Sequence, residues 1–293
     1  MSCYRPVKGY INLKGKFQRQ NNGAKLLDAT MPCGHCDGCR RRKRDDWAIR
    51  CTHEAKLYRH NTFITLTYDP ENLPVNGSLV PHHMDRFLDN LRKRLNRKPF
   101  RFFACGEYGD NFHRPHYHIL LFDYWPEDAR QAIGTDYFSS KFLTDKWKKG
   151  HVSIGQVTYA SAKYAAKYTL KEPIGYKKAM HQEQRYDHLH GLLVDVDPQF
   201  VKFSPGLGKK WVEKYWTDYY PNDFIVMRNQ NGTTQHATPR FYDDWLRQHH
   251  PEIYAQVKIA RHENQREELG ETRLAQIELA KRRNASIISK GKL

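Results

Sequence analysis

An α+β fold, a central antiparallel sheet with flanking helices, is predicted by three features of this 293-residue sequence. Short β-branched and aromatic runs alternate with segments whose apolar residues recur every three or four positions. Two such runs, 100–108 and 115–122, are joined by a short polar connection, the pattern of an antiparallel hairpin. A hydrophobic fraction of 39% at this length is enough for a core and excludes wholesale disorder.

Residues 1–30 are polar and Gly-bearing with weak periodicity. Cys33, Cys36 and Cys39 then lead into the basic run Arg40, Arg41, Arg42, Lys43 and Arg44. From Asp45 through Tyr58, the residues Trp47, Ala48, Cys51, Ala55 and Tyr58 form one stripe at helical spacing, so a helix is expected there. Phe63–Tyr68 is β-branched and aromatic and ends at Asp69-Pro70, which marks a strand. His83 to Lys98 sets Met84, Phe87, Leu88, Leu91 and Leu95 on one helical face, with a cationic far end and Pro99 as its stop. The hairpin strands 100–108 and 115–122 follow, about the polar loop 109–114. Pro126 is expected to open a further helix at its first turn, where a missing N–H is harmless. His151–Val157 supplies a short strand, and Thr158 or Ser161 caps the helix after it.

Beyond Glu172-Pro173 the periodicity weakens, and 252–283 is expected as a mostly polar helix. The order strand, helix, hairpin, helix, strand, helix suggests helices on one face of the sheet and the other face free for a ligand. The chain divides into an N-terminal cysteine-bearing and basic helical region, 1–59, a sheet-bearing core, 60–172, and a C-terminal accessory region with a charged terminal helix, 173–293.

Lys and Arg outnumber Asp and Glu by 49 to 32, a formal charge of +17, which makes a polyanion the natural partner. The aromatic content of 13%, with 18 Tyr, suits stacking on unpaired bases and favours single-stranded nucleic acid. No apolar run approaches the roughly 20 residues that span a bilayer, and the opening residues lack the apolar segment of a secretory signal. The expectation is a cytoplasmic protein, with no membrane partner. Six clustered cysteines are better suited to thiols or metal thiolates than to a disulfide scaffold, with Cys51 and Cys105 as ordinary buried thiols.

Two motifs bear on chemistry. His116 and His118, two apart in an apolar strand, point to one face, which is half of a metal site. Glu107 ends the preceding strand and can come alongside His116, and two imidazoles with a carboxylate suit a catalytic divalent ion with open positions. The donor set alone does not distinguish magnesium, manganese or zinc. Tyr164 and Tyr168, four apart in a helix-forming run, share one helical face, with Lys163, Lys167 and Lys171 as a cationic stripe beside them. A cation near a phenol oxygen favours phenolate and holds phosphate. Such a phenol attacking a phosphodiester conserves the bond energy in a phosphotyrosine link for later rejoining. Packing tyrosines and structural histidines are the plain alternative. Cys33, Cys36 and Cys39, with Cys3 or His35 as a fourth donor, would suit a structural zinc, or else two thiols buried at a helix entry. The run Arg40 to Arg44 reads as a phosphate-contacting patch or a solvated turn.

Phe63–Tyr68, Cys105-Gly106-Glu107-Tyr108-Gly109 running to Arg114-Pro115-His116-Tyr117-His118, and Tyr164-Ala165-Ala166-Lys167-Tyr168 together resemble the three motifs of HUH endonucleases. The resemblance is to replication initiation proteins of single-stranded DNA phages of the Microviridae, gokushovirus-like in particular. It extends to Pro32–Arg40, to Pro205-Gly206-Leu207-Gly208 and to Glu213-Lys214-Tyr215. It implies an RRM-like HUH nuclease core over 60–172, with additions at both ends. It also implies His116, His118 and Glu107 as ligands of a magnesium or manganese ion, Asp110 or His113 being able to replace Glu107, and Tyr164 and Tyr168 as nucleophiles assisted by Lys167. Lys163, Lys171 and the Arg40–Arg44 run would contact DNA. The activity implied is rolling-circle initiation: nicking of single-stranded or melted origin DNA of the viral replicative form through a 5′-phosphotyrosine, then rejoining, in the host cytoplasm. Host helicase and DNA polymerase are expected partners, because the chain carries no nucleotide-binding Gly-rich Lys loop. The competing expectation is a non-enzymatic single-stranded nucleic-acid-binding protein; another is a metal hydrolase that uses water as its nucleophile.

Overall fold

The computed structural model describes residues 3–11, 17–21, 27–95, 99–109, 113–170, 183–187, 191–220, 222–229, 232–263 and 270–290. Asp110 and Lys171 lie outside the described residues, as does part of the 109–114 loop. The chain forms two compact units, Met1–Lys43 with Ala255–Leu293, and Arg44–Tyr254.

The first unit opens with an antiparallel sheet in the order β2-β1-β3, from β1 (Val7–Ile11), β2 (Phe17–Gln18) and β3 (Leu27–Met31). Helix α1 (Asp37–Ala55) begins directly after Cys36, earlier than the Asp45 expected from the apolar stripe. The Arg and Lys run has good helix propensity and Asp37 sits at the positive end of the dipole, so the polar segment is helical without any stripe of its own.

In the second unit, β4 (Asn61–Tyr68) and α2 (Pro81–Arg94) precede the hairpin β5 (Arg101–Tyr108) and β6 (Pro115–Phe122). A small hairpin, β7 (Arg130–Gln131) and β8 (Phe138–Ser139), then leads to α3 (Lys141–Trp147), β9 (Gly150–Gln156) and α4 (Tyr159–Lys167). Strands β10 (Glu183–Asp187) and β11 (Leu192–Val196) pair with each other, and β12 (Phe200–Phe203) joins the main sheet. Among the described residues that sheet has seven strands, all antiparallel, in the order β12-β5-β6-β4-β9-β8-β7. Within it, β4 and β5 run parallel with β6 between them, and β6 and β9 with β4 between them, so each strand–helix–strand crossing skips one antiparallel neighbour.

Strict alternation in β4 sends Ile64, Leu66 and Tyr68 to one face and Phe63, Thr65 and Thr67 to the other. Against the first face pack Met84, Phe87, Leu88 and Leu91 of α2 and Leu143 and Trp147 of α3. Pro81 starts α2 where no N–H is missed, and Arg92, Lys93 and Arg94 lie at its negative end. The second face is not left bare, as the sequence reading expected. Cys51 and Ala55 of α1 and Ala162 and Ala165 of α4 cover Phe103, Cys105, Leu120 and Phe122. The near-continuous apolar runs of β5 and β6 are the physical reason, since strands covered on both faces lose alternation.

Two further expectations change. Pro126 opens a single turn, Ala129 N–H to Pro126 O at 3.2 Å, and no helix; the following residues form the β7–β8 hairpin about Gly134, whose φ is +73°. Asp128 instead caps α3, accepting from Ser140 Oγ at 2.6 Å and Phe142 N at 2.8 Å. The 173–250 region, without readable period, folds as β10–β12, α5 (Lys209–Tyr215), the hairpin β13 (Phe224–Asn229) and β14 (Gly232–Ala237), and α6 (Arg240–His249).

Its Pro205–Gly208 segment is structural. The Gly208 N–H donates to buried Glu54 Oε2 at 2.7 Å, Arg50 Nε to Leu207 O at 3.0 Å, and Arg101 bridges Glu54 (2.6 Å) and Pro205 O (2.9 Å). Gly208 has φ of +77°, and a Cβ there would lie 2.8 Å from the Tyr242 hydroxyl.

The C-terminal segment expected as one helix is α7 (Pro251–Glu263) and α8 (Glu271–Lys290), with 264–269 outside the described residues. In the first unit α8 contributes Ile277 to the small core of Cys3, Tyr4 and Cys36. Arg5 pairs with Glu278 and Arg282 with Asp37. Among the described residues, no helix is long and apolar enough to cross a membrane.

Candidate active site

Pairing of the central strands lays two rows of side chains across the second face. One row is Glu107, His116, Thr67 and His151; the next is Cys105, His118, Thr65 and Ser153. Cross-strand partners share a face, so the hairpin register alone brings the carboxylate and both imidazoles together. Glu107 stands opposite His116 in the register, but its Oε1 is hydrogen-bonded to His118 Nε2 at 2.9 Å.

His116 Nδ1 lies 2.6 Å from Arg114 O, so it carries the proton and leaves the Nε2 lone pair available. Burial holds this imidazole below its ordinary range and keeps it neutral. His118 Nδ1 meets Thr65 Oγ1 at 3.0 Å. Burial alone would raise the Glu107 carboxyl, but hydrogen bonds from His118 and Tyr168 outweigh it and hold the group below the usual carboxylate range. Two nitrogens and an ionised carboxylate are a donor set for a divalent cation. Ligands about 2.1 Å from one ion and at right angles lie about 3.0 Å apart, close to the His118–Glu107 separation. His116 stands further off, with the two imidazole rings parallel and their centroids 6.5 Å apart.

Helix α4 brings the phenols to this row. Thr158 is its N-cap, accepting from Ser161 N while Ser161 Oγ accepts from Thr158 N, so both residues proposed as caps act together. The helix ends at Lys167 and Tyr168 sits in the short 3₁₀ turn that follows, yet the four-residue spacing still brings the two phenol rings within 5.6 Å. Tyr164 donates to Glu107 Oε1 at 3.3 Å, and its ring edge approaches His118 at 5.0 Å. It is 44% exposed, whereas Tyr168, stacked on His118 at 6.0 Å, is 2% exposed. Burial pushes Tyr164 up to about 12 and Tyr168 higher still, where hydrogen bonds with Tyr164 and Glu107 add to burial.

Of the cations, Lys167 lies 5.9 Å from the Tyr168 ring. Lys163 lies 5.5 Å from the Tyr159 ring and 3.9 Å from Asp45 Oδ1. Arg44 grips the same Asp45 with two nitrogens, at 2.7 and 2.9 Å. Arg41 donates to Asp37 O at 3.4 Å, and Arg40, Arg42 and Lys43 on α1 each have a partner. These belong to the first unit, Arg44 and Lys163 to the second.

Phe63, Glu107, His116, His118, Tyr164 and Tyr168 line one open cleft of about 1010 Å³. Its remaining wall includes Gln131, Asp136, Tyr137 and Phe138 of the β7–β8 hairpin, which the sequence reading missed because a helix was expected there. Tyr137, 58% exposed, offers an aromatic face at this wall. The Ile133-Gly134-Thr135-Asp136 turn was the signal available.

Cys3, Cys33, Cys36 and Cys39 bring their sulfurs within 4.8 Å of one another in the first unit; among the described residues no other group of three or more His, Cys, Asp or Glu does so. His35, the other candidate donor, is exposed and outside the group. Cys51 and Cys105 are fully buried thiols, pushed up by burial.

The family model described as a replication-associated protein of the ORF2 type matches residues 61–173, β4 through α4 and just beyond. The chain is similar to Replication-associated protein VP4 of Bdellovibrio phage phiMH2K, 32% identical over 278 residues that cover 88% of this chain and 82% of that one. It is 31% identical over 267 residues to Replication-associated protein ORF2 of Spiroplasma virus 4, covering 83% and 79%. With Replication-associated protein ORF4 of Chlamydia phage 1 it shares 31% over 159 residues, covering 50% and 40%. No solved structure matches the chain.

Proposed function

This chain belongs to the ORF2-type family of phage replication-associated proteins, with gokushovirus-like relatives, and on that premise we propose that it nicks and rejoins viral DNA by transfer to tyrosine. The observation that carries the reading is the meeting of Tyr164 hydroxyl, Glu107 carboxylate and His118 imidazole, at 3.3 and 2.9 Å, on the floor of an open cleft.

His116, His118 and Glu107 would hold a divalent cation, magnesium or manganese, and such an ion supplies electron withdrawal at the scissile phosphate. The carbonyl of Arg114 fixes the His116 tautomer, and Thr65 orients His118. Tyr164 is the phenol that reaches the cleft. Its oxygen bonds phosphorus, the bond to the 3′-oxygen breaks, and the proton given up by the phenol is balanced by the one the 3′-oxygen takes up. The strand's 5′-phosphate is then tyrosine-linked, and attack by a 3′-hydroxyl reverses the step. Lys163 and Lys167 would steady the phosphate backbone, Tyr137 would stack on an unpaired base, and host helicase and polymerase would extend the freed end.

The test incubates the full chain with manganese and labelled single strands tiling the phage genome that encodes it, read on a denaturing gel. A denaturation-resistant adduct that disappears in Tyr164→Phe is expected. Cleavage with no adduct, undiminished in the Tyr164→Phe/Tyr168→Phe double variant, would mean a water nucleophile instead. Retention of strands on a native gel without cleavage would leave a binding protein.

A further inference from the structure

We propose that Cys3, Cys33, Cys36 and Cys39 form a structural zinc site, separate from the cleft and independent of the nicking reading. All four are free thiols. Cys3 Sγ lies 3.7 Å from Cys33 Sγ and 3.8 Å from Cys36 Sγ, and all four sulfurs fall within 4.8 Å of one another. Four sulfurs about 2.3 Å from one zinc in a tetrahedron stand about 3.8 Å apart, so the cluster already has the edge length of a zinc tetrathiolate. Four donors with no water or carboxylate among them describe a closed site, structural in kind.

The surroundings suit charged sulfur. Tyr4 N–H donates to Cys36 Sγ, Cys33 N–H to Cys3 Sγ and Cys36 N–H to Cys33 Sγ, each at 3.3 Å. Backbone donors of this kind share out the negative charge that four thiolates bring to a doubly charged ion. The position is also where a small fold needs a staple. The core around these thiols adds only Tyr4 and Ile277, too little apolar surface to order the unit unaided. Zinc would join the segment before β1 to the turn that opens α1, so binding energy becomes folding energy for the strands between them. It would also fix the start of the helix bearing Arg40 to Lys43.

The full chain, purified without added chelator, is expected to carry one zinc per molecule by elemental analysis. The Cys33→Ser/Cys36→Ser variant should carry none. Because that variant could fail to fold, cobalt replacement in the unaltered chain gives a second readout, with strong sulfur-to-cobalt charge transfer and the visible bands of a tetrahedral centre expected. The His116→Ala/His118→Ala variant should keep its zinc and its cobalt spectrum while losing any nicking, so failure at the cleft is distinguishable from failure here. A chain free of zinc with its four thiols paired as disulfides by mass, iron in place of zinc, or a weak octahedral cobalt spectrum would overturn the proposal.

Discussion

Tyr164 and Tyr168 are four residues apart and 5.6 Å between ring centroids, yet they differ in what a substrate can reach. Tyr164 is 44% exposed and Tyr168 is 2% exposed behind it, held by Tyr164, Glu107 and the His118 ring. The phenols therefore act in order, and the second must emerge before it can attack. Tyr168→Phe is expected to keep the first adduct, reduced by no more than about tenfold, and to lose transfer onto a second strand, measured with two labelled oligonucleotides. Equal loss of the first adduct in both single variants would contradict the order. At another residue, His53 is buried with Nδ1 2.9 Å from the Tyr242 hydroxyl and its ring stacked on Trp211 at 4.9 Å. Burial, with Lys56 adding, depresses it to about 3. An unfolded histidine titrates near 6.5, so between about 6.5 and 3 the unfolded chain binds the extra proton and stability falls as pH falls. The melting temperature of His53→Gln should drop less steeply across that window than that of the unaltered chain; parallel slopes would remove His53 from the account.

Among the elements, α4 owes its position to its first turn. The Thr158 and Ser161 capping box satisfies N–H groups that a helix of this length cannot spare. Thr158→Ala should cost about 1 kcal/mol in denaturant unfolding and slow adduct formation, because Tyr164 rides on the helix. Unchanged stability would mean that packing of Ala162 and Ala165 alone holds α4. The elements legible in the sequence were those with a strong period of their own. Strand β6 has the bounds expected, Pro115 to Phe122, and the apolar stripe of α2 is the one that packs. The site row was legible too, since a hairpin of known strands fixes which residues stand opposite. What escaped was set by partners distant in sequence. Strand β12 is a four-residue edge strand recognisable only beside β5, where Phe200 covers Gly106 so closely that a Cβ there would lie 2.4 Å from its ring. Covering of the second face depended on α1, and the cleft wall on a hairpin of two-residue strands. The choice of Cys3 over His35 joined residues thirty apart, which spacing alone leaves open.

At the scale of the whole molecule the formal charge of +17 overstates what a nucleic acid meets, because part of the cationic surface is already paired. Arg101 is spent on buried Glu54, Arg282 on Asp37, Arg44 on Asp45 and Lys202 on Asp85, at 2.6 to 2.7 Å. Lys163 differs: its nearest carboxylate oxygen is 3.9 Å away, and it rides on the helix that carries Tyr164. Lys202 sits against α2, on the face of the sheet opposite the cleft. If DNA follows the cleft, the two lysines should contribute differently to counterion release although each removes one charge from the total. Affinity for a labelled single strand, measured by anisotropy between low and moderate salt, falls with a log–log slope of about 0.7 per phosphate neutralised. Lys163→Gln should lower that slope by about 0.7, and Lys202→Gln should leave it unchanged. Equal reductions in both would mean that the strand responds to net charge alone, and the cleft would lose its claim to be the DNA path.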